Sequence, residues 1–200
     1  MNYVSWADGV AFADWAGLRP MTELEFEKAA RGPLPAVPNE FAWGSTNAWR
    51  ATGLADAGTS EEAPTPEGAN ATYWSRTFGN PIGGPFRVGA FAAPGRSREQ
   101  AGAGYYGALE SSGNLWERTV TVGDDLGRAF SGAHGDGALD AGGHATVPCW
   151  PNWGTSGAGQ RGGNWRSEVA GMRVAQRGSA SFVHTDRGPS AGWRGARSAP

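Results

Sequence analysis

Cys149 is the only cysteine of the chain. A lone thiol closes no internal disulfide and supplies no thiolate pair for structural zinc, a redox motif or a soft-metal centre, so it reads as a small buried side chain. His134, His144 and His184 are scattered over glycine-rich segments with no short-spaced ligand pair. That spacing makes them exposed loop histidines and not zinc ligands. Asp124-Asp125 and Asp136 to Asp140 are carboxylate pairs of the kind acid–base catalysis uses, but their glycine-rich surroundings read as solvated turns. No Gly-x-Ser-x-Gly elbow joins a strand to a helix, so no hydrolase is expected.

More informative is the stretch 161–197. Arg161-Gly162-Gly163-x-Trp165, Arg173-Val174, Arg177, Arg187 and Gly192-Trp193-Arg194-Gly195-Ala196-Arg197 punctuate a run of small, unrelated residues. Glycines and tryptophans set backbone and core, whereas the residues between them follow neither a helical nor a strand period, as surface loops do. Arg166, Ser167, Glu168, Val169, Gly171, Gln176, Ser179, Ser181, Phe182, Val183, His184, Thr185, Asp186, Pro189 and Ser190 are therefore the ligand-contact candidates. Phe182 and His184 are the expected anchors, because rings bury area at low entropic cost. The pattern points to binding and away from catalysis.

The elements that must position these residues are few. Ser5 caps a first helix with Asp8 at its third position, placing Trp6, Val10 and Ala13 on one stripe beside Phe12 and Trp15 until Gly17 ends it. Thr22-x-x-Glu25 is a capping box for a second helix that carries Leu24, Phe26, Ala29 and Ala30 and stops at Gly32-Pro33. Trp116–Val122 alternates as a strand, and Met172–Arg177 alternates likewise. From Pro33 to about Gly113, Gly, Pro, Ser and Asn breaks surround single aromatics, and 33 Gly with 13 Pro would suit disorder were it not for 10 Trp and 8 Phe. These are anchored loops. Trp150-Pro151-Asn152-Trp153 reads as a core plug ahead of an aromatic contact platform.

Helices early and strands late predict an α+β chain with a small antiparallel sheet and long ordered loops, and 200 residues suit one domain over 1–200. A net charge of −2 with both signs interspersed leaves no basic stripe for nucleic acid. No apolar run is long enough to insert in a membrane and the first residues are no signal peptide, so a soluble chain is expected, in the cytoplasm, on a phage particle or at a cell surface.

Val4-Ser5-Trp6-Ala7-Asp8-Gly9-Val10-Ala11-Phe12, Leu18–Gly32, Phe41-Ala42-Trp43-Gly44, Gly113-Asn114-Leu115-Trp116-Glu117 and Arg161-Gly162-Gly163-Asn164-Trp165 occur in that order. Together they resemble the formylglycine-generating-enzyme (sulfatase-modifying factor) domain family, which implies a variant of the C-type lectin fold. The family's oxidases carry a redox cysteine pair after the Arg-Gly-Gly block, used to bind copper and activate oxygen, and here Asn164–Gly171 holds no thiol. The resemblance also implies a structural calcium near the Gly-Asn-x-Trp-Glu block, with carbonyls of Gly113 and Leu115 and the side chain of Glu117 as hard oxygen ligands. A second ion position is weakened because Gly89 stands where the family has an aspartate.

The ending Arg173-Val174 … Arg177 … Arg187 … Gly192–Arg197 resembles the variable region of diversity-generating-retroelement target proteins. Between Gly178 and Ala191 no Trp, Met, Lys, Gln or Glu occurs, as adenine-directed mutagenesis of asparagine-type codons would leave it. This resemblance implies a non-catalytic, cofactor-free display protein, its variable region about 161–197, that captures an unknown protein or cell-surface ligand. The alternative is a formylglycine-generating-type oxidase relative with altered chemistry. Met1 lies just before the Val-Ser-Trp block, so the sheet is expected to lack an edge strand that self-association or an upstream segment would cover.

Overall fold

Two capping boxes start the fold. In the computed structural model, which describes residues 1–74, 82–151, 156–182 and 185–198, the Ser5 hydroxyl accepts the Asp8 N–H and Asp8 accepts the Ser5 N–H at 2.9 Å. This closes the entry to helix α1 (Trp6–Trp15). Trp6, Val10 and Ala13 turn inward, while Phe12 and Trp15 on the other side stay exposed. Thr22 and Glu25 make the second box, at 3.1 and 2.9 Å, for helix α2 (Glu23–Arg31). Glu23, Phe26 and Ala30 are its buried residues and Leu24 faces solvent.

The strands are short: β1 (Arg19–Pro20), β2 (Gly53–Ala55), β3 (Ala63–Thr65), β4 (Trp116–Val120), β5 (Ala158–Arg161), β6 (Ala191–Gly192) and β7 (Gly195–Ala196), with a one-turn helix α3 (Asp125–Arg128) after β4. β4 is the centre of a three-stranded sheet in the order β5-β4-β6, and its antiparallel register with β5 pairs Glu117 with Arg161 and Val120 with Ala158. β1 pairs antiparallel with β7, and β2 with β3. The architecture is the expected α+β. The alternation in 172–177 does not make a strand: Val169–Met172 is a 3-10 turn, and a second turn follows in which the Gln176 N–H reaches the Arg173 carbonyl. Met172 and Val174 are buried as alternation requires, but by loop packing.

The chain divides into two compact units, Met1–Phe26 with Glu117–Arg161 and Arg177–Pro200, and Glu27–Trp116 with Gly162–Gln176. The core of the first unit joins Trp6, Val10 and Ala13 of α1 to Val120, Ala158 and Trp150, with Leu18 and Trp193 packed on it. Trp150 is thus the core residue expected, its indole N–H donating to the Ala133 carbonyl; Asn152 and Trp153 lie outside the described residues. Cys149 is exposed, a correction to the expected burial: its backbone sits at φ 66°, turning the thiol outward just before Trp150 turns in. Among the described residues, the second unit packs one apolar cluster around Phe41, Trp43, Ala71 and Met172 and another around Phe86, Ala90 and Phe91. Between them its loops are pinned by buried polar groups. Asn114 exchanges hydrogen bonds with the Phe86 backbone, and Arg98 donates to the Ala30, Ala42 and Ala103 carbonyls.

Candidate functional site

In the first unit, Arg161, Arg177, Arg187 and Arg194 of the 161–197 frame each pair with a specific carboxylate. Glu23, in the first turn of α2 and 1% exposed, accepts from Arg161 at 2.7 Å and from Arg177 at 2.8 and 3.0 Å. The Val122 N–H and the Thr121 hydroxyl donate to its other face at 2.8 and 3.1 Å. Burial pushes the Glu23 pKa up, but these donors and the two guanidinium charges outweigh it and hold the carboxyl below its ordinary value. Arg187 forms a bidentate pair with Asp8 at 2.6 and 2.7 Å, which holds the Asp8 carboxyl far below the usual range. Arg194 donates to Glu117 at 2.6 Å. Trp193 stacks edge-on against Trp6 at 5.3 Å, and a Cβ at Gly9 would collide with its ring.

Between these anchors the backbone is also tied. The Tyr3 N–H donates to the Gly188 carbonyl at 3.0 Å, Asn2 to Pro189 at 3.2 Å, Arg118 to the Asp186 carbonyl at 3.1 Å, and the Gln160 N–H to Ser179 at 2.8 Å. At Gly159 a Cβ would lie 1.7 Å from the Ala180 carbonyl oxygen, so only glycine lets this segment approach the sheet. Ser181, Phe182, Thr185 and Asp186 are exposed, and Ser179, Pro189 and Ser190 half-buried. Val183 and His184 lie outside the described residues. The remaining candidates belong to the second unit and are described there.

The second unit holds the stretch after the Arg-Gly-Gly block. Gly163 has φ 72° and lies so close to the Gly171 carbonyl that a Cβ would meet it at 2.9 Å, which makes the glycine obligatory twice over. The Trp165 N–H donates to the Asn114 carbonyl at 2.8 Å, Ser167 N–H to Asn164 at 2.9 Å, Trp74 N–H to the Ser167 carbonyl at 2.8 Å, Gly171 N–H to Glu168 at 2.9 Å and Val174 N–H to Glu40 at 3.0 Å. Trp165 is buried and carries the Arg166 guanidinium 4.4 Å over its ring. Arg166, Glu168, Val169 and Gln176 are exposed, Ser167 and Gly171 half-buried. The stretch is thus fixed mainly through its backbone, with Asn164 Oδ1 accepting the Arg166 N–H and Ser167 Oγ the Asn164 N–H, and a guanidinium and a carboxylate are among its exposed groups.

Those donors do not suit a thiolate-bound soft metal. Asn, Arg, Ser and Glu offer hard or cationic groups where a copper centre needs sulfur, and Cys149 belongs to the other unit. Among the described residues no group of three or more His, Cys, Asp or Glu side chains could hold a metal ion. Gly113 and Leu115 lie in the second unit and Glu117 in the first, where its carboxylate accepts from Arg194. A cation on Glu117 would share its carboxylate with a guanidinium whose charge opposes it.

Glu23 was given no role by sequence reasoning, although it organises two frame arginines. The available signal was charge balance: arginines fixed in a loop frame need buried acceptors, and an acidic residue in the first turn of a capped helix is a ready one. His144 was read as an isolated loop residue. It is paired with Asp140, whose other oxygen accepts the N–H groups of Gly142 and His144.

The fold and the Arg-Gly-Gly block place the molecule among known domains. The chain belongs to the sulfatase-modifying factor enzyme 1-like domain family, which matches residues 1–199, and the small sheets and few helices are those of that C-type-lectin-like fold. It is 33% identical over 124 residues to a formylglycine-generating enzyme of Thermomonospora curvata and 34% identical over 118 residues to one of Mycobacterium tuberculosis. A hercynine oxygenase of Mycolicibacterium smegmatis is 32% identical over 120 residues. These matches cover 58%, 59% and 60% of this chain but only 31%, 32% and 21% of the relatives, so the chain spans a third or less of their length. The expectation of a non-catalytic chain is corrected here, because the relatives are named enzymes. The motif arithmetic misled by weighing one absent thiol pair against a whole family's scaffold. No helix among the described residues is long and apolar enough to cross a membrane.

Proposed function

We propose that the chain is a formylglycine-generating-type oxidase relative with altered chemistry. The pocket of the family is used for a peptide or small thiol, and the polar set Asn164, Arg166, Ser167 and Glu168 stands where the oxygen-activating thiolate pair would be. These groups bind and orient a substrate but pass no electrons to oxygen, so the oxidation rests on a redox cofactor other than thiolate-bound copper. One observation carries this reading: the loop after Arg161-Gly162-Gly163 is held by backbone hydrogen bonds and by the side chains of Asn164 and Ser167, so the exposed Arg166 and Glu168 can change without loss of its path. Arg166, stacked on Trp165, offers in-plane N–H donors to a substrate carboxylate, and Glu168 an acceptor for a substrate amine or thiol proton. Oxygen consumption by the purified protein with a cysteine-containing peptide, with and without added Cu(I), tests it. Turnover that copper does not raise is expected, and copper-dependent turnover would overturn it.

A second reading is favoured by the anchored C-terminal segment. Phe182, Thr185 and Asp186 are exposed, the Ser181 hydroxyl is tied to Thr121, and Arg177, Arg187 and Arg194 are each ion-paired. A stiff segment lowers the ordering cost of binding, so this face would capture a protein or cell-surface ligand, as a retroelement-diversified surface does. Capture lost on replacing Phe182 and Asp186 with Ala, with melting unchanged, supports it, and an unaltered partner set would remove it. The calcium expected at Gly113, Leu115 and Glu117 is likewise a proposal. A rise in melting temperature with calcium that EGTA reverses is its test.

A further inference from the structure

The second unit carries a cavity of about 920 Å³ far in sequence from the Arg-Gly-Gly stretch, lined by Trp49, Glu67, Pro94, Gly95, Arg96 and Gln100 among others. Its walls are set before any ligand arrives. The Arg96 guanidinium donates to the carbonyls of Ala69, Phe91, Gln100 and Glu67, tying the segment 67–69, Phe91 and Gln100 around one cation. Trp49 is fixed at its backbone, its N–H donating to Asn70 Oδ1 at 2.9 Å and its carbonyl accepting the Asn70 N–H at 2.9 Å. Its indole is 47% exposed on the cavity wall. Gln100 Oε1 accepts the Ser97 N–H at 2.9 Å, which turns the amide NH₂ away from that turn.

The chemistry of the walls selects a class of ligand. A cation on the indole would meet the Arg96 charge, and an anion would meet the Glu67 carboxylate, so neither sign is favoured. A neutral ligand with an apolar face and ring hydroxyls suits all the groups. Its C–H face lies on the indole, Glu67 accepts from one hydroxyl, and the Gln100 NH₂ donates to another. The volume lies within the range of small-molecule sites.

We infer that this cavity is a binding site for a neutral saccharide, stacked on Trp49 and hydrogen-bonded by Glu67 and Gln100. The inference is independent of the oxidase reading, since it uses other residues and needs no turnover. It is tested by calorimetry and saturation-transfer NMR on the full chain with maltotriose, cellotriose and N,N′,N″-triacetylchitotriose. Choline, sulfate and a proline-rich decapeptide form the cationic, anionic and apolar-peptide arms. At least one trisaccharide is expected to bind with a Kd of about 1 mM or tighter. Trp49→Ala should weaken it at least about tenfold, and Gln100→Ala and Glu67→Ala several-fold, with unchanged circular dichroism. Gln100→Ala and Glu67→Ala alter exposed side chains, so they keep the test sound if Trp49→Ala misfolds. Binding of no trisaccharide, equal binding by wild type and all three variants, or preference for choline, sulfate or the peptide would each overturn the proposal.

Discussion

The hub around Glu23 and the stretch Asn164–Gly171 solve the same problem, fixing irregular backbone, by opposite means. At Glu23 the side chains do the holding: two guanidiniums, a hydroxyl and an N–H converge on one carboxylate that is 1% exposed. In Asn164–Gly171 the backbone carries most of the holding, and Arg166, Glu168 and Val169 stand outside. The first arrangement ties identity to stability, because removing one partner strands buried charge. The second separates them, and a family scaffold can therefore keep its loop while exchanging the chemistry on it.

The largest effect that would test this contrast is at the hub. Glu23→Ala removes the carboxylate shared by the buried Arg161 and by Arg177. Breaking a buried ion pair from one side costs about 3–5 kcal/mol, so chemical denaturation should show a loss of unfolding free energy of that size, with a lowered midpoint, or no folded protein. A normal midpoint would mean that the hub is not the fold's anchor. Acid comes next. The carboxyls of Glu23, Glu25 and Asp8 are all held below their ordinary pKa, Glu23 and Glu25 against burial and Asp8 first by its Arg187 pair. A lowered carboxylate pKa gives stability that is present above the unfolded value and lost as pH falls through the folded one. Melting should therefore be flat from neutral pH to about 5 and fall progressively below about 4. A decline centred between pH 6 and 8 would point to histidines instead.

Asp8→Ala is the intermediate case, since it removes a capping-box acceptor as well as the Arg187 pair, and should cost about 1 kcal/mol. Arg187→Ala, at an exposed guanidinium, should be the milder of the two in the same denaturation assay. The smallest effects belong to the exposed groups. Arg166→Ala with Glu168→Ala, and Phe182→Ala with Asp186→Ala, should each move the melting temperature by no more than about 2 °C. If either pair destabilises as Asp8→Ala does, the separation of chemistry from scaffold fails there.

What the sequence made legible was local. Both capping boxes are written in four-residue spacings, Ser5 to Asp8 and Thr22 to Glu25, and both form. β4 was visible because Trp116–Val120 is a strand the core needs, with Val120 against Trp6 and Trp150. Met172–Arg177 showed the same alternation and formed turns, since period alone does not say whether a partner strand is in reach. Glu23 was invisible because its partners are 138 and 154 residues away. Only the fold brings those charges together. The family was legible from ordered blocks spread over the chain, but the chemistry was not, because Asn164–Gly171 lacks the thiol that the resemblance leads one to expect there.

Copper is where the account is most exposed. Cu(I) titration of the purified chain against a competing chelator, followed by oxygen uptake with a cysteine-containing peptide, measures both the donor set and its use. The account predicts no tight stoichiometric Cu(I) site and peptide-dependent oxygen uptake indifferent to copper. Stoichiometric Cu(I) binding with uptake that stops on chelation, or no uptake under any condition, would contradict it.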